Sequence, residues 1–413
     1  MLDLVIKNSK LVGKNGEYNI GVSDGKIIEI TQKNLKADKS IDIKSNYLLP
    51  GFIDPHVHFR DPGLTQKEDF KSGSEAAAHG GFTTVIDMPN TLPKTNTYKA
   101  LKEKMEIAES KSVVNFYLQA GHNSLDEMKK MMELNPISFK VFMDLETDDS
   151  LEEIFHNLGE LKSSTSYNGL VATHCEKRSI VQEETERLKD STEPIDYSYA
   201  RPYASEDESV AQTIELARKN NLRLHICHLS TKSALNMARE NNISYEFTPH
   251  HLLLDNSAYN KFGTMVKTNP PLRPESQRVS IADIDENSII GTDHAPHTLD
   301  EKQKGVFTSS PGIPNLETVV SLLLTEVNKG NLDFNLIPKI FSENASKVFD
   351  LKSKGEIRAG KDADFTVIDL NREGRFDISQ FKTKGKYSPF DGCEYKGAPV
   401  MTIVGGKVVF DDI

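Results

Sequence analysis

Gly51-Phe52-Ile53-Asp54-Pro55-His56-Val57-His58-Phe59-Arg60-Asp61-Pro62-Gly63 reads as a short apolar strand ending in two histidines one residue apart. Side chains alternate along a strand, so His56 and His58 share a side and both imidazoles can reach one metal ion. Arg60 continues the alternation and adds a planar positive fork beside that metal. A metal with an adjacent anion clamp points to chemistry on a small carboxylated substrate.

The same rhythm recurs downstream. Strands are predicted at 51–56, 83–88, 114–120, 138–142, 169–174, 222–228, 243–248 and 288–292, with helical patterns between several of them, such as 99–110 and 209–219. Strands alternating with helices over this length predict a (β/α)₈ TIM-type barrel, an α/β fold. The rival, a doubly wound open sheet, lacks a Gly-x-Gly-x-x-Gly fingerprint after an early strand. The segment 192–208, with two prolines and several charges, reads as a loop over one face.

Both ends of the chain are β-rich. Short strands fill 3–47, with Asp24-Gly25 as a hairpin signal, and strands recur at 364–369, 400–404 and 407–410, the last two joined at Gly405-Gly406. A small β-sandwich domain formed from both termini is expected, dividing the chain into 1–49, a barrel over 50–345, and 346–413.

A chain of 413 residues holds a large barrel plus an accessory domain. The net charge is −11 with no basic stripe, which weighs against nucleic acid or an anionic membrane as partner. No basic segment, apolar run and small-residue cleavage site opens the chain, and no apolar run is long enough to cross a bilayer. Cys175, Cys227 and Cys393 show no paired spacing. A soluble, cytoplasmic protein is expected, with Cys175 and Cys227 as small core residues.

Chemistry-bearing residues fall at the carboxyl ends of the predicted strands, where barrel enzymes place their sites. His56 and His58 end the first, His174 the fifth, His228 the sixth and Asp293 the eighth, while Lys140 lies within the fourth. A lone strand-end histidine is more often structural, and a lone aspartate more often a cap or turn residue; together they form a metal site. His225, the pair His250-His251 and His294 are read as structural, or as residues that hold ligand rings through hydrogen bonds. His79, His122 and His156 sit in no supporting motif.

Lys140 is the unusual member, because an ammonium has no lone pair for a metal. An amine that loses its proton among cations can combine with carbon dioxide, and the carbamate is a carboxylate able to bridge two metals. The alternative is an ammonium paired with Asp144 or another acid. A lysine inside an apolar strand favours the carbamate.

His-Val-His-Phe-Arg-Asp-Pro-Gly at 56–63, Met88-Pro89-Asn90-Thr91, Asn269-Pro270-Pro271-Leu272-Arg273, Thr292-Asp293-His294-Ala295-Pro296-His297 and Pro311-Gly312-Ile313-Pro314-Asn315-Leu316-Glu317-Thr318 resemble the cyclic amidohydrolase superfamily, and within it the dihydroorotases. The similarity runs across nearly the whole chain. It implies reversible cyclisation of N-carbamoyl-L-aspartate to L-dihydroorotate and water, a step of de novo pyrimidine (UMP) biosynthesis, at a binuclear zinc site.

Carried over residue by residue, the resemblance implies His56, His58 and Asp293 on one Zn²⁺, His174 and His228 on a second, and N6-carboxylated Lys140 between them. Asp293 is then the general acid/base. Arg60, Asn90 and His297 resemble the clamp on the substrate carboxylate, with His58 beside them, and Asn269, Pro311 and Gly312 match positions contacting the ring. Arg60 separates this group from allantoinases and dihydropyrimidinase- or hydantoinase-type relatives, whose substrates lack that carboxylate. One departure stands out. Many bacterial dihydroorotases of this sequence type have aspartate where Lys140 stands, whereas lysine is the pattern of the shorter type and of allantoinases and hydantoinases, so the subtype is mixed. Some relatives are non-catalytic scaffolds that have lost metal ligands, but every expected position is filled here. Association with aspartate transcarbamoylase is a family analogy for which no segment argues.

Overall fold

The computed structural model describes residues 2–413. Five strands come first: β1 (Leu2–Lys10), β2 (Glu17–Ser23), β3 (Lys26–Thr31), β4 (Ala37–Asp42) and β5 (Tyr47–Pro50). The barrel strands follow in the predicted order: β6 (Phe52–Val57), β7 (Phe82–Asp87), β8 (Asn115–Gly121), β9 (Ser138–Phe142), β10 (Leu170–His174), β11 (Arg223–Ile226), β12 (Ser244–Phe247) and β13 (Ile289–Ile290). Three more close the chain: β14 (Phe365–Arg375), β15 (Glu394–Val404) and β16 (Lys407–Asp411).

Strands β6 to β13 pair in sequence order as a parallel sheet of eight. Every residue of β6 and β7 is buried, as parallel strands covered on both faces require. The seam between first and last strands closes through a parallel bridge from Val57 to His294, with His58 N–H donating to His294 O at 2.9 Å. Buried Asp54 reinforces it, accepting from Thr292 N–H at 3.0 Å and Thr292 Oγ1 at 2.5 Å. Outward side chains such as Leu118, Phe139, Val141, Leu224, Ile226 and Phe247 join the main core with the surrounding helices. Inward positions carry Lys140, Cys227 and Glu246, so chemistry occupies the barrel's own interior.

The predicted helix at 99–110 forms as Tyr98–Lys111. The loop expected at 192–208 does not. That stretch holds a short helix, Asp196–Ala200, and the first turns of the long helix Tyr203–Lys219. Its charges misled because two of them face inward: Arg201 bonds Glu176 and Asp144, and buried Glu206 pairs with Arg273 at 3.0 Å. Pro202, standing just before the long helix, costs that helix nothing because the first N–H groups of a helix lack partners.

The terminal strands form one network in the order β16-β15-β14-β5-β1-β2-β3, with β4 also on β1. The sheet forks at β1, which pairs with β4 along its first residues and with β5 at Lys10–Tyr47. The fork lets both halves enclose Ile6, Ile20, Val22, Leu48, Phe365, Val367 and Ile403. The hairpin signals are met by paired left-handed residues: Asp24 (φ 49°) with Gly25 (φ 69°), and Gly405 (φ 55°) with Gly406 (φ 78°). Between β14 and β15 the chain leaves the sheet and inserts Tyr387 against the barrel, where its hydroxyl accepts from His297 N–H at 3.1 Å. Among the described residues, no helix is long and apolar enough to cross a membrane.

Candidate active site

One cavity of about 370 Å³ opens at the carboxyl ends of the barrel strands. All of the residues singled out from sequence line it: His56, His58, Arg60, Asn90, Lys140, His174, His228, Asn269, Asp293, His297, Pro311 and Gly312. The alternation of each strand and the βα connections produce this convergence.

The two histidines of the first strand point the same way. His56 Nδ1 bonds the carboxylate of Glu246, and His58 Nδ1 bonds Asn90 Oδ1 at 2.7 Å. These acceptors take the Nδ1 protons and leave both Nε2 atoms facing Asp293, whose Oδ1 lies 3.4 Å from that of His56 and 3.1 Å from that of His58. Ligand atoms of His56, His58 and Asp293 thus gather within the span of one metal ion. Burial pushes His58 down to about 4, so its imidazole is neutral and has a lone pair to give. Burial raises the Asp293 carboxyl, but His56 and His58 outweigh it and hold it well below the ordinary carboxylate range.

His174 and His228 form the second half. Nδ1 of His174 and Nε2 of His228 stand 3.0 Å apart, and His174 Nε2 bonds Glu176 Oε2 at 2.9 Å. Burial drives His228 well below its ordinary value, and its own Nδ1 has no bonding partner. Lys140 lines the same cavity, its Nζ 2.7 Å from Cys227 Sγ and 5.3 Å from the centre of the Phe142 ring. The expected rival for Lys140, an ion pair with Asp144, is absent: Asp144 is paired with Arg201 at 2.8 Å. Four imidazoles, a carboxylate and a lysine that forms no ion pair among the described residues, converging on one cavity, fit a pair of divalent cations.

Arg60 lies beyond the end of β6, so the alternation expected to carry it past His58 stops short of it, yet its side chain lines the same cavity. It is only 7% exposed, its backbone is left-handed (φ 61°), and its Nε is buried without an acceptor. Among the described residues it forms no ion pair; its Nη2 lies 3.1 Å from His297 Nε2. A buried guanidinium lacking an anion is costly unless a ligand supplies one. His228 (φ 38°) and Asp293 (φ 46°) share the left-handed backbone, and such strain persists where function holds it in place. Asp87, ion-paired with Lys104 at 2.5 Å, accepts from Phe59 N–H at 2.7 Å and so pins the chain between His58 and Arg60.

The wall built by Asn269, Pro311 and Gly312 is largely committed to itself. Asn269 Oδ1 accepts from Tyr197 OH at 2.6 Å. Gly312 N–H donates to Lys267 O at 2.8 Å, and its carbonyl accepts from buried Lys302 at 3.0 Å and Tyr387 OH at 2.9 Å. Pro311 O faces His297 Nε2 at 3.0 Å.

Sequence reasoning passed over Glu246, Glu176, Arg201, Lys67 and His122. Glu246 carried a readable signal, a charge at an inward strand position between Tyr245 and Phe247. His122 lines the cavity and bonds Glu146 at 3.2 Å, but lies on a loop where no periodicity marks it. His225, His250, His251 and His294 bond Glu246, Asn315, Pro270 O and Glu68 and hold no ligand ring directly; His225 alone reaches one, through the Glu246 carboxylate it shares with His56, and the other three are structural.

The sequence profile of the amidohydrolase family matches residues 47–409. A dihydroorotase from Methanothermobacter thermautotrophicus is 47% identical over 414 residues, spanning 100% of this chain and 95% of that protein. A dihydroorotase from Methanosphaera stadtmanae is 43% identical, spanning 100% of this chain and 97% of that one. Among solved structures, an L-hydantoinase from Arthrobacter aurescens superposes with a TM-score of 0.92 at 30% identity, covering 100% of this chain and 97% of that one.

Proposed function

The chain belongs to the amidohydrolase family, and from that membership we propose that it catalyses the dihydroorotase reaction, the reversible cyclisation of N-carbamoyl-L-aspartate to L-dihydroorotate and water. It is a hydrolase acting on a cyclic amide. Arg60 carries this choice within the family: a buried, unpaired guanidinium facing the cavity demands an anion, and the α-carboxylate of dihydroorotate supplies one. Hydantoin and dihydrouracil rings have no such group. In our reading the reaction serves pyrimidine biosynthesis in the cytoplasm, with a small-molecule substrate and neither nucleic acid nor membrane as partner.

In our reading His56, His58 and Asp293 would hold one Zn²⁺ and His174 and His228 a second, and Lys140 would contribute to the site as its carbamate. That carbamate forms when the neutral amine adds to carbon dioxide, making an N–C bond and releasing a proton. When bound, the cations supply Lewis acidity and lower the pKa of water from about 15.7 to near 7.

The protein's own groups do the rest. Arg60 takes the substrate carboxylate through two parallel bonds, which fixes the ring's orientation. Asn90, its oxygen held by His58, turns its remaining amide donors to the same task, and His297 adds a third contact. Asn269 and the Pro311-Gly312 wall bound the ring. In ring opening Asp293 accepts a proton from the attacking water and passes it to the departing ring nitrogen. In ring closure it removes a carbamoyl N–H proton, that nitrogen bonds to the side-chain carboxyl carbon, and one carboxyl oxygen leaves as water with the proton that Asp293 returns.

The test compares turnover of dihydroorotate, allantoin, dihydrouracil and hydantoin by one zinc-loaded preparation. Dihydroorotate is expected to be preferred by orders of magnitude. Preference for any ring without a carboxylate overturns the assignment in favour of a hydantoinase-type reaction.

A further inference from the structure

We infer that Lys67 fixes which nitrogen of His297 carries the proton, and thereby makes that imidazole a donor to the substrate carboxylate. The inference rests on the reading that Arg60 and His297 grip this group. Lys67 lies on the loop after the first barrel strand, with its side chain nearly buried, and its Nζ stands 3.3 Å from His297 Nδ1.

An ammonium offers hydrogens and no lone pair. Facing Lys67, Nδ1 must therefore be the acceptor, and the single N–H of the neutral ring falls on Nε2. Burial and the cations Arg60, Lys67 and Lys302 keep the ring neutral, pushing it down to about 2. The Nε2–H then points toward Pro311 O at 3.0 Å and stands 3.1 Å from Arg60 Nη2. A guanidinium also has donors only, so these two nitrogens do not bond each other. They are two donors side by side, next to an Arg60 Nε that has no acceptor. An anionic oxygen arriving between them accepts from Arg60 and draws the single Nε2–H away from Pro311 O.

Glu301 shows why the lysine is needed. It holds Lys67 at 2.8 Å, and its second oxygen lies 3.5 Å from His297 Nδ1. Without Lys67, Nδ1 would protonate and turn to Glu301, and Nε2 would present a lone pair to the incoming carboxylate. Lys67 is thus a positioning residue, acting on substrate through His297. Its charge is matched by Glu301, so its effect comes from hydrogen-bond direction more than from added positive field.

The test reads the imidazole directly. In zinc-loaded protein with ¹⁵N-labelled histidine, His297 is expected to show the Nε2–H tautomer, and Lys67→Met the Nδ1–H tautomer. Losing a donor to a charged group predicts a Michaelis constant for dihydroorotate raised about tenfold or more in Lys67→Met, with kcat changed less. Lys67→Arg, which keeps a side chain of donors only, is expected to retain the original tautomer. A proton on Nδ1 in the unmodified protein, or a Michaelis constant in Lys67→Met within about twofold of the original, overturns the inference. Failure of the underlying reading shows up separately, as an unmodified enzyme that does not turn over dihydroorotate.

Discussion

Glu246 accepts from His56 Nδ1 across 190 residues of sequence, and that bond aims His56 Nε2 at Asp293. The same carboxylate bonds His225 Nε2 at 3.1 Å and takes the backbone N–H of His228 at 3.2 Å. One buried side chain therefore orients residues assigned to both cations. Burial raises its carboxyl, yet His56 and His225 outweigh that and hold it well below the ordinary glutamate value.

Glu246→Gln is expected to weaken metal retention by about 10- to 100-fold, because the amide is a poorer acceptor for the ligand's outer N–H. Zinc competition against a chromophoric chelator measures this without any assay of turnover. Unchanged affinity would limit Glu246 to a packing role.

Arg60→Lys replaces a two-bond fork with a point charge. The Michaelis constant for dihydroorotate is expected to rise about 10- to 100-fold, the equivalent of one charge-assisted hydrogen bond of ~1.5–3 kcal/mol. Steady-state kinetics in both directions check it, and an unchanged constant places the carboxylate elsewhere.

Asp293→Asn keeps the shape of the side chain and removes its basicity. Turnover is expected to drop about 10²- to 10⁴-fold while circular dichroism stays native. Near-native turnover would remove Asp293 as the acid/base.

Lys140 should carry extra density for a three-atom carboxylate in crystals grown with zinc and bicarbonate. Chelation should abolish turnover, and zinc with bicarbonate should restore it. An unmodified ammonium in a zinc-loaded map would leave the space between the two halves to another ligand.

Arg201→Met strips the partner from buried Glu176, which Arg201 Nε contacts at 3.0 Å. The loss of stability is expected to be about 3–5 kcal/mol, the cost of stranding a buried charge. Burial raises Glu176, but Arg201 and His174 outweigh it and hold the folded carboxyl well below its unfolded value. Its contribution is therefore fully present above about pH 4.3 and lost as pH falls through the folded value. The gap between Arg201→Met and the original protein should be largest near neutrality and shrink in acid. Urea unfolding followed from pH 7 down through the acid range below about pH 3 measures both.

Sequence by itself determined the barrel, its strand order and the cavity residues His56, His58, Lys140, His174, His228 and Asp293, because strand alternation and the βα rhythm are local properties; Asn90, Asn269, His297, Pro311 and Gly312 were marked only by the family resemblance. His56 and His58 point the same way, as period-two alternation predicts, and Asp24-Gly25 makes its turn through local dihedral preference; Arg60 stands past the end of β6 with a left-handed backbone, so the fold of the loop and not alternation brings it to the cavity. Tertiary structure decided what each group does there. Which nitrogen of His56 or His297 faces the cavity depends on Glu246 and Lys67, distant residues whose positions no local pattern encodes. The segment 192–208 looked like a solvated loop because its charges find buried partners, Glu176 and Arg273, only once the chain has folded. Hydrogen-bond direction and charge pairing are set by contacts far apart in sequence, and those contacts turn a gathering of histidines into an oriented site.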